Sequence, residues 1–126
     1  FDHIGKTARL NSSKIILEKI KEMQKQTNVP VIFMGDLNAR AEEESIQLLT
    51  KELNETRTHC KTKPYGEKDT WNGFKFSEKP DGQIDYIFID KSNKLSVEKY
   101  RTITDFYDFK YPSDHLPIFC TLNCQK

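Results

Sequence analysis

The sequence contains few cysteines and no long apolar run, and each of these features excludes a class of protein. Its three cysteines, Cys60, Cys120 and Cys124, are odd in number and follow no metal-ligand spacing. This argues against both a closed disulfide framework and a cysteine-built zinc site. Since no apolar run has the length needed to cross a bilayer, stable membrane insertion is not expected.

The sequence also lacks an excess of charge of either sign. Twenty basic and 19 acidic residues give a formal net charge of +1. Nonspecific binding of duplex DNA usually needs an extended basic surface, and this sequence does not provide one. A phosphate ester remains possible as a substrate, because a metal ion can supply positive charge locally. With 126 residues, 36% hydrophobic and 31% charged, the chain is expected to fold as one globular domain at most.

Hydrophobic periodicity predicts alternating helices and strands. The predicted helices cover residues 7–26 and 42–53, and the predicted strands cover residues 31–35, 83–90, 96–105 and 116–122. The first strand is a continuous apolar run, which is typical of a strand covered on both faces. Residues 54–79 are polar and rich in turn residues, so we expect a long loop region with one or two short strands. This order predicts an α/β fold in which helices pack on a mixed sheet.

Polar side chains occur at or near the ends of three predicted strands. Asp36 and Asn38 follow the first strand, Asp85 lies within the second, and Asp114 and His115 precede the last. In α/β sheets, ligand sites gather at strand ends and in the adjoining loops, so these side chains are expected to open onto one cleft. Asp36 and Asn38 also suit a turn or a helix cap, and the Asp114–His115 pair could be turn chemistry between two prolines.

Asp85 needs a partner, because an ionised carboxylate within an apolar strand must offset its desolvation. His115 is the best candidate, since a carboxylate bonded to one ring nitrogen fixes the tautomer and orientation of the imidazole. Asp114 is then free to face a divalent cation. Hard oxygen ligands of this kind suit Mg²⁺ or Mn²⁺.

Three motifs in this order resemble one enzyme family. GDLN (residues 35–38), IDYIF (84–88) and SDHLP (113–117) are similar to the second half of the endonuclease/exonuclease/phosphatase superfamily, the deoxyribonuclease-I-like metal-dependent phosphohydrolases. FDHIGKTAR (1–9) resembles the stretch that follows a strand ending in His in that family. The resemblance implies that residues 1–126 form the C-terminal half of a layered α/β sandwich.

The family domain is longer than this chain, which begins with Phe1 rather than Met. The N-terminal half is therefore expected to be absent, together with the metal-binding Glu and a substrate-contacting Asn that the family carries there. On this interpretation, the fragment alone is expected to be inactive.

The resemblance also implies a role for each motif residue in Mg²⁺- or Mn²⁺-dependent phosphoester hydrolysis. Asp36 would orient or deprotonate the attacking water or assist the leaving group, and Asn38 would bond a phosphate oxygen. Asp114 would hold the metal, while His115, held by Asp85, would bond the phosphate and stabilise the transition state. The expected substrate is a nucleic acid, a small phosphoester or a phospholipid head group. The alternative is a catalytically silent binding or scaffold module with the same fold.

Three further side chains are candidates for substrate contact. Trp71 and Phe74, in TWNGFKF, could stack on a base or sugar, or could instead fill the core. Arg9 could bind a phosphate as a bidentate donor, or could be a solvated charge on a helix face.

Overall fold

The computed structural model describes residues 1–124 and confirms the α/β class. Its elements are, in chain order, helix α1 (Lys6–Gln26), strand β1 (Ile32–Asp36), helix α2 (Glu44–Glu52), and strands β2 (Asn54–Glu55), β3 (Asp85–Ile89), β4 (Leu95–Thr102) and β5 (Ile118–Cys124). The predicted helices and strands are therefore present. β2 is one of the short strands expected within residues 54–79.

The strands pair antiparallel in two sheets. β3 lies between β1 and β2 in the first sheet, and β4 pairs with β5 in the second. β5 also packs on β3, which brings the two sheets together. In the β1–β3 register, Asp36 lies opposite Asp85. Antiparallel pairing thus brings the end of β1 to the beginning of β3, with a carboxylate on each strand.

The two helices cover one face of the first sheet. α1 turns Leu17 and Ile20 toward the core, and α2 contributes Ile46 and Leu49. Phe88, on the central strand, is fully buried among them. Burying side chains of this size stabilises the fold by about 1.5–3 kcal/mol each. Neither helix within residues 1–124 combines the length and apolar character that a bilayer-crossing segment needs.

The prediction that the first strand is covered on both faces was wrong. β1 lies at the edge of its sheet, and only Phe33 turns toward the core. Met34 is 63% exposed, and Ile32 is exposed on the same face. β3 is the strand that the structure buries on both faces, because it has a neighbour on each side and lies between the helices and β5.

Candidate active site

The centre of the site is a hydrogen bond between Asp85 and His115. Nδ1 of His115 lies 2.8 Å from Oδ2 of Asp85, as the sequence predicted. Because an ionised carboxylate can only accept, Nδ1 carries the hydrogen and Nε2 is the nitrogen that remains for other contacts. The bond therefore fixes the orientation of the ring.

Thr70 extends this pair and is a site residue that the sequence analysis missed. Its hydroxyl donates to Oδ2 of Asp85 at 2.6 Å and accepts the backbone N–H groups of Ile84 and Asp85, each at 3.2 Å. Thr70 is completely buried. The same carboxylate oxygen thus accepts from a hydroxyl and from the imidazole. Nothing in the polar loop sequence around Thr70 distinguishes it from its neighbours.

Asp36 and Asn38 form a second hydrogen-bonded unit at the end of β1. The backbone N–H of Asn38 donates to Oδ1 of Asp36 at 2.8 Å, and its side-chain amide donates to Oδ2 at 3.0 Å. Asn38 has a φ of 47°, a left-handed conformation that Asn adopts more readily than most residues. The turn chemistry considered from the sequence is therefore present, and it also orients Asp36.

Asp36 lies close to the Asp85–His115 pair. One carboxylate oxygen of each aspartate and one ring nitrogen of His115 all lie within 4.8 Å of one another. The two carboxylates are ligands that suit a divalent cation, whereas the imidazole already bonds Asp85 through Nδ1. A shallow cavity adjoins the pair and is lined by Met34, Asp36, Asp85 and Ile118, among others.

The carboxylates determine the charge state of His115. Burial on its own lowers the pKa of the imidazole, but the hydrogen bond that it donates to Asp85 and the negative charges of Asp85, Asp36 and Asp114 outweigh it. The pKa of His115 is therefore raised above its ordinary value, which favours the doubly protonated ring. Such a ring presents a charged N–H donor, as an anionic phosphate requires.

Asp114 is half-buried beside His115, but it lies outside the group of three ligand atoms formed by Asp36, Asp85 and His115. Its backbone carbonyl accepts the N–H groups of Asn72 and Gly73 at 2.8 and 3.1 Å. Its carboxylate acts on His115 through its charge. The three residues whose atoms could together hold an ion are thus ones that the sequence analysis assigned to catalysis.

Asn72 is a second residue that the sequence analysis missed. It is buried, its side-chain amide donates to the carbonyl of Ser113, and its Oδ1 accepts the N–H of Phe74. These bonds fasten the loop that carries Trp71 and Phe74 to the loop that carries His115.

Arg9 is neither a solvated charge on a helix face nor free to bind a phosphate, the two roles considered from the sequence. It is only 4% exposed, and its guanidinium donates to Glu43 at 2.7 Å and to the carbonyl of Asp2 at 3.0 Å. The ion pair joins α1 to the residue that precedes α2. Because burial makes the charge depend on this partner, the geometry assigns Arg9 a structural role instead of phosphate binding.

Trp71 and Phe74 lie outside the core, so the core-filling alternative was wrong for both. Trp71 forms a β-bridge with His115 and is partly exposed, which places it beside the site. Phe74 is 61% exposed.

The geometry agrees with a family match over most of the chain. Residues 2–115 match the model of the endonuclease/exonuclease/phosphatase family. The chain belongs to this family. No curated protein sequence matches it.

Solved structures of the family resemble the chain over nearly its whole length. A mannosyl-6-phosphatase of Bacteroides thetaiotaomicron VPI-5482 is 32% identical, with a TM-score of 0.88 over 97% of this chain and 48% of its own. A functionally unknown protein of Enterococcus faecalis V583 is 30% identical, with a TM-score of 0.86 over 98% of this chain and 47% of its own. The D. rerio protein TDP2, solved with a single-strand DNA product, is 25% identical with a TM-score of 0.69. The chain therefore spans about half the length of the solved relatives that it resembles.

Proposed function

We propose that the chain carries the C-terminal half of the active site of a divalent-metal-dependent phosphoester hydrolase. The observation that carries this proposal is the convergence of Asp36, Asp85 and His115 within 4.8 Å at a solvent-accessible cavity. Family membership supports the reaction class. Phosphoryl transfer depends mainly on positioning and on neutralising charge, and this group offers both.

Each residue has a role that its contacts support. His115, with a raised pKa, donates from Nε2 to a phosphate oxygen, while Asp85 and Thr70 hold its ring in place. Asp36 positions or deprotonates the attacking water, and Asn38 orients Asp36. The Asn38 amide also donates to the carbonyl of Phe1 at 3.0 Å, so it bonds a phosphate oxygen by exchanging one of these two partners.

Mg²⁺ or Mn²⁺ fits this donor set, which is dominated by hard carboxylate oxygens. Asp36, which belongs to the group of three, would hold it, and the family resemblance adds Asp114, whose charge also acts on His115. The bound cation would neutralise charge on the phosphate.

A small sugar phosphate is the substrate class that we favour. The mannosyl-6-phosphatase is 32% identical to this chain, whereas the DNA-bound TDP2 is 25% identical. A net charge of +1 agrees with this choice, since a protein that binds a long phosphate backbone usually needs many Lys and Arg side chains.

We also propose that activity requires the remainder of a family domain. The chain covers less than half of the mannosyl-6-phosphatase structure, and Ile32 and Met34 on the edge strand expose an apolar face beside the site. The 126-residue chain alone is accordingly expected to be inactive.

The test is hydrolysis of a panel containing a hexose 6-phosphate, a mononucleotide and an oligonucleotide. It uses the longest natural polypeptide that includes this chain, with Mg²⁺, with Mn²⁺ and with a chelator. Asp36→Asn should abolish release of phosphate or product. Glu22→Gln, which removes a carboxylate from the exposed surface of α1, should not affect it.

Metal-dependent activity that disappears in Asp36→Asn would support the proposal. If the intact polypeptide hydrolyses no member of the panel with either metal, the silent binding module becomes the better interpretation.

A further inference from the structure

A cluster of aromatic side chains lies on the two chain segments that carry Trp71 and His115. Phe76 contacts three other rings, with centroid distances of 4.4 Å to Phe106, 5.6 Å to Phe109 and 5.9 Å to Tyr111. We call these four residues the aromatic wall. Phe106 and Phe109 are exposed, Phe109 by 76%, although burial would stabilise both. An apolar surface of this kind is typical of a binding site.

The backbone that presents these rings is conformationally unusual. Phe109 has a φ of 58°, and the residue before it, Asp108, has a φ of 48°. Phe74, on the opposing loop, has a φ of 61°. A bulky side chain rarely adopts this left-handed region, and residues held there cluster at functional sites. The strained positions coincide with the most exposed rings of the two loops.

Hydrogen bonds join the two chain segments that carry the aromatic wall, at a point where both reach the site. Tyr111 lies four residues before His115. On the other loop, Trp71 bridges His115, and Asn72 and Gly73 donate to the carbonyl of Asp114. A group bonded to a phosphate at His115 therefore lies beside Trp71, and the wall continues along the same two segments.

The charge of the wall segments restricts the class of ligand. Residues 74–79 and 105–111 together contain three lysines and three acidic residues, so their formal charges cancel. Lys75 and Glu78 also pair with each other at 3.0 Å. Sites that follow a nucleic-acid strand combine aromatic rings with a positively charged groove, and these segments carry no net positive charge. A ligand whose ring carries no charge therefore suits these segments better than a nucleic-acid strand.

We infer that the aromatic wall and Trp71 bind the saccharide part of a phosphorylated oligosaccharide, with its phosphate at His115. This inference rests on the proposed phosphoester hydrolysis and specifies its leaving group. The C–H groups of a pyranose face are weakly positive and are attracted to the negative face of an aromatic ring. Because Phe106, Phe109 and Trp71 each present an exposed ring, we expect a saccharide of two or more units to bind better than a monosaccharide.

The test measures binding of phosphate-free saccharides in the presence of a chelator, so that it does not depend on metal or hydrolysis. Trp71 is the single tryptophan of the chain, and its fluorescence reports on the proposed surface. Mannotriose, mannose and adenosine serve as probes. We expect mannotriose to change the emission and to bind more tightly than either of the other two.

Wall variants connect the binding to these rings. Phe109→Ala should weaken mannotriose binding by about three- to tenfold, the contribution of one aromatic contact, and Phe109→Tyr should restore it. Phe119→Ala is the matched control, because Phe119 is an exposed ring on β5 that stacks under Arg101. Undiminished binding by Phe109→Ala, no binding of mannotriose, or tighter binding of adenosine would each overturn the inference. A negative hydrolysis panel with intact saccharide binding would instead count against the proposed reaction.

Discussion

The hydrogen bond between His115 and Asp85 predicts that the two residues act as one unit in catalysis. Asp85→Asn removes the charge that holds the ring, and the bond is charge-assisted because its acceptor is an ionised carboxylate. Such bonds contribute about 1.5–3 kcal/mol, which corresponds to roughly a ten- to 150-fold loss of kcat/KM. His115→Ala removes the donor itself and should cost about a hundred- to a thousandfold.

If Asp85 acts through His115, the double variant should be scarcely worse than His115→Ala alone. The assay is kcat/KM on the intact polypeptide, with circular dichroism to confirm folding. His59→Ala is the control, because the ring of His59 bonds to Thr58 and to the carbonyl of Glu55, outside the site. Losses that multiply in the double variant would refute the dyad and leave Asp85 with an independent role.

Three further predictions concern stability and metal binding. Glu43→Gln should destabilise the fold by about 1.5–3 kcal/mol in urea unfolding at pH 7 by removing the anionic partner of buried Arg9. Burial raises the pKa of Glu43, but the hydrogen bonds from Arg9 and from the backbone of Arg40, with the charges of Arg9 and Lys6, together outweigh it and lower that pKa. This stability should therefore be lost as the pH falls through the lowered pKa; a difference unchanged at low pH would contradict it. Thr70→Val should lower the free energy of unfolding by about 1.5–3 kcal/mol and Thr70→Ser by much less, because only Val removes the hydroxyl that donates to Asp85. Equal losses of stability in the two variants would argue against this role. Mg²⁺ should bind the isolated chain weakly in calorimetry. Asp85 and His115 already bond each other, and Mg²⁺ loses its bound water reluctantly. Tight stoichiometric binding would show that the isolated chain holds a complete site.

The elements of the fold were largely predictable because their signals are local. The 3.6-residue period in α1 and the alternation in β3 follow from which face of each element is buried. Whether β1 is buried on one face or on both was not predictable. An apolar run is compatible with a central strand or an edge strand, and only pairing and packing distinguish the two.

Pairing also decided the division of the strands into two sheets. The strand signals identified β3, β4 and β5 but carried no information about which of them bond to each other.

By itself, the sequence indicated that Asp85 needs a partner and that His115 is the best candidate, because an ionised carboxylate in an apolar strand must offset its desolvation, and the structure contains this bond. It indicated Asp36 and Asn38 by their place after a strand. Tertiary structure decided the rest. It brought Thr70 to Asp85 from a loop with no distinguishing pattern, and it joined residues 34 positions apart in the Arg9–Glu43 pair. Hydrogen bonds between side chains distant in the chain depend on atomic positions that only packing establishes, so residue type and spacing cannot reveal them.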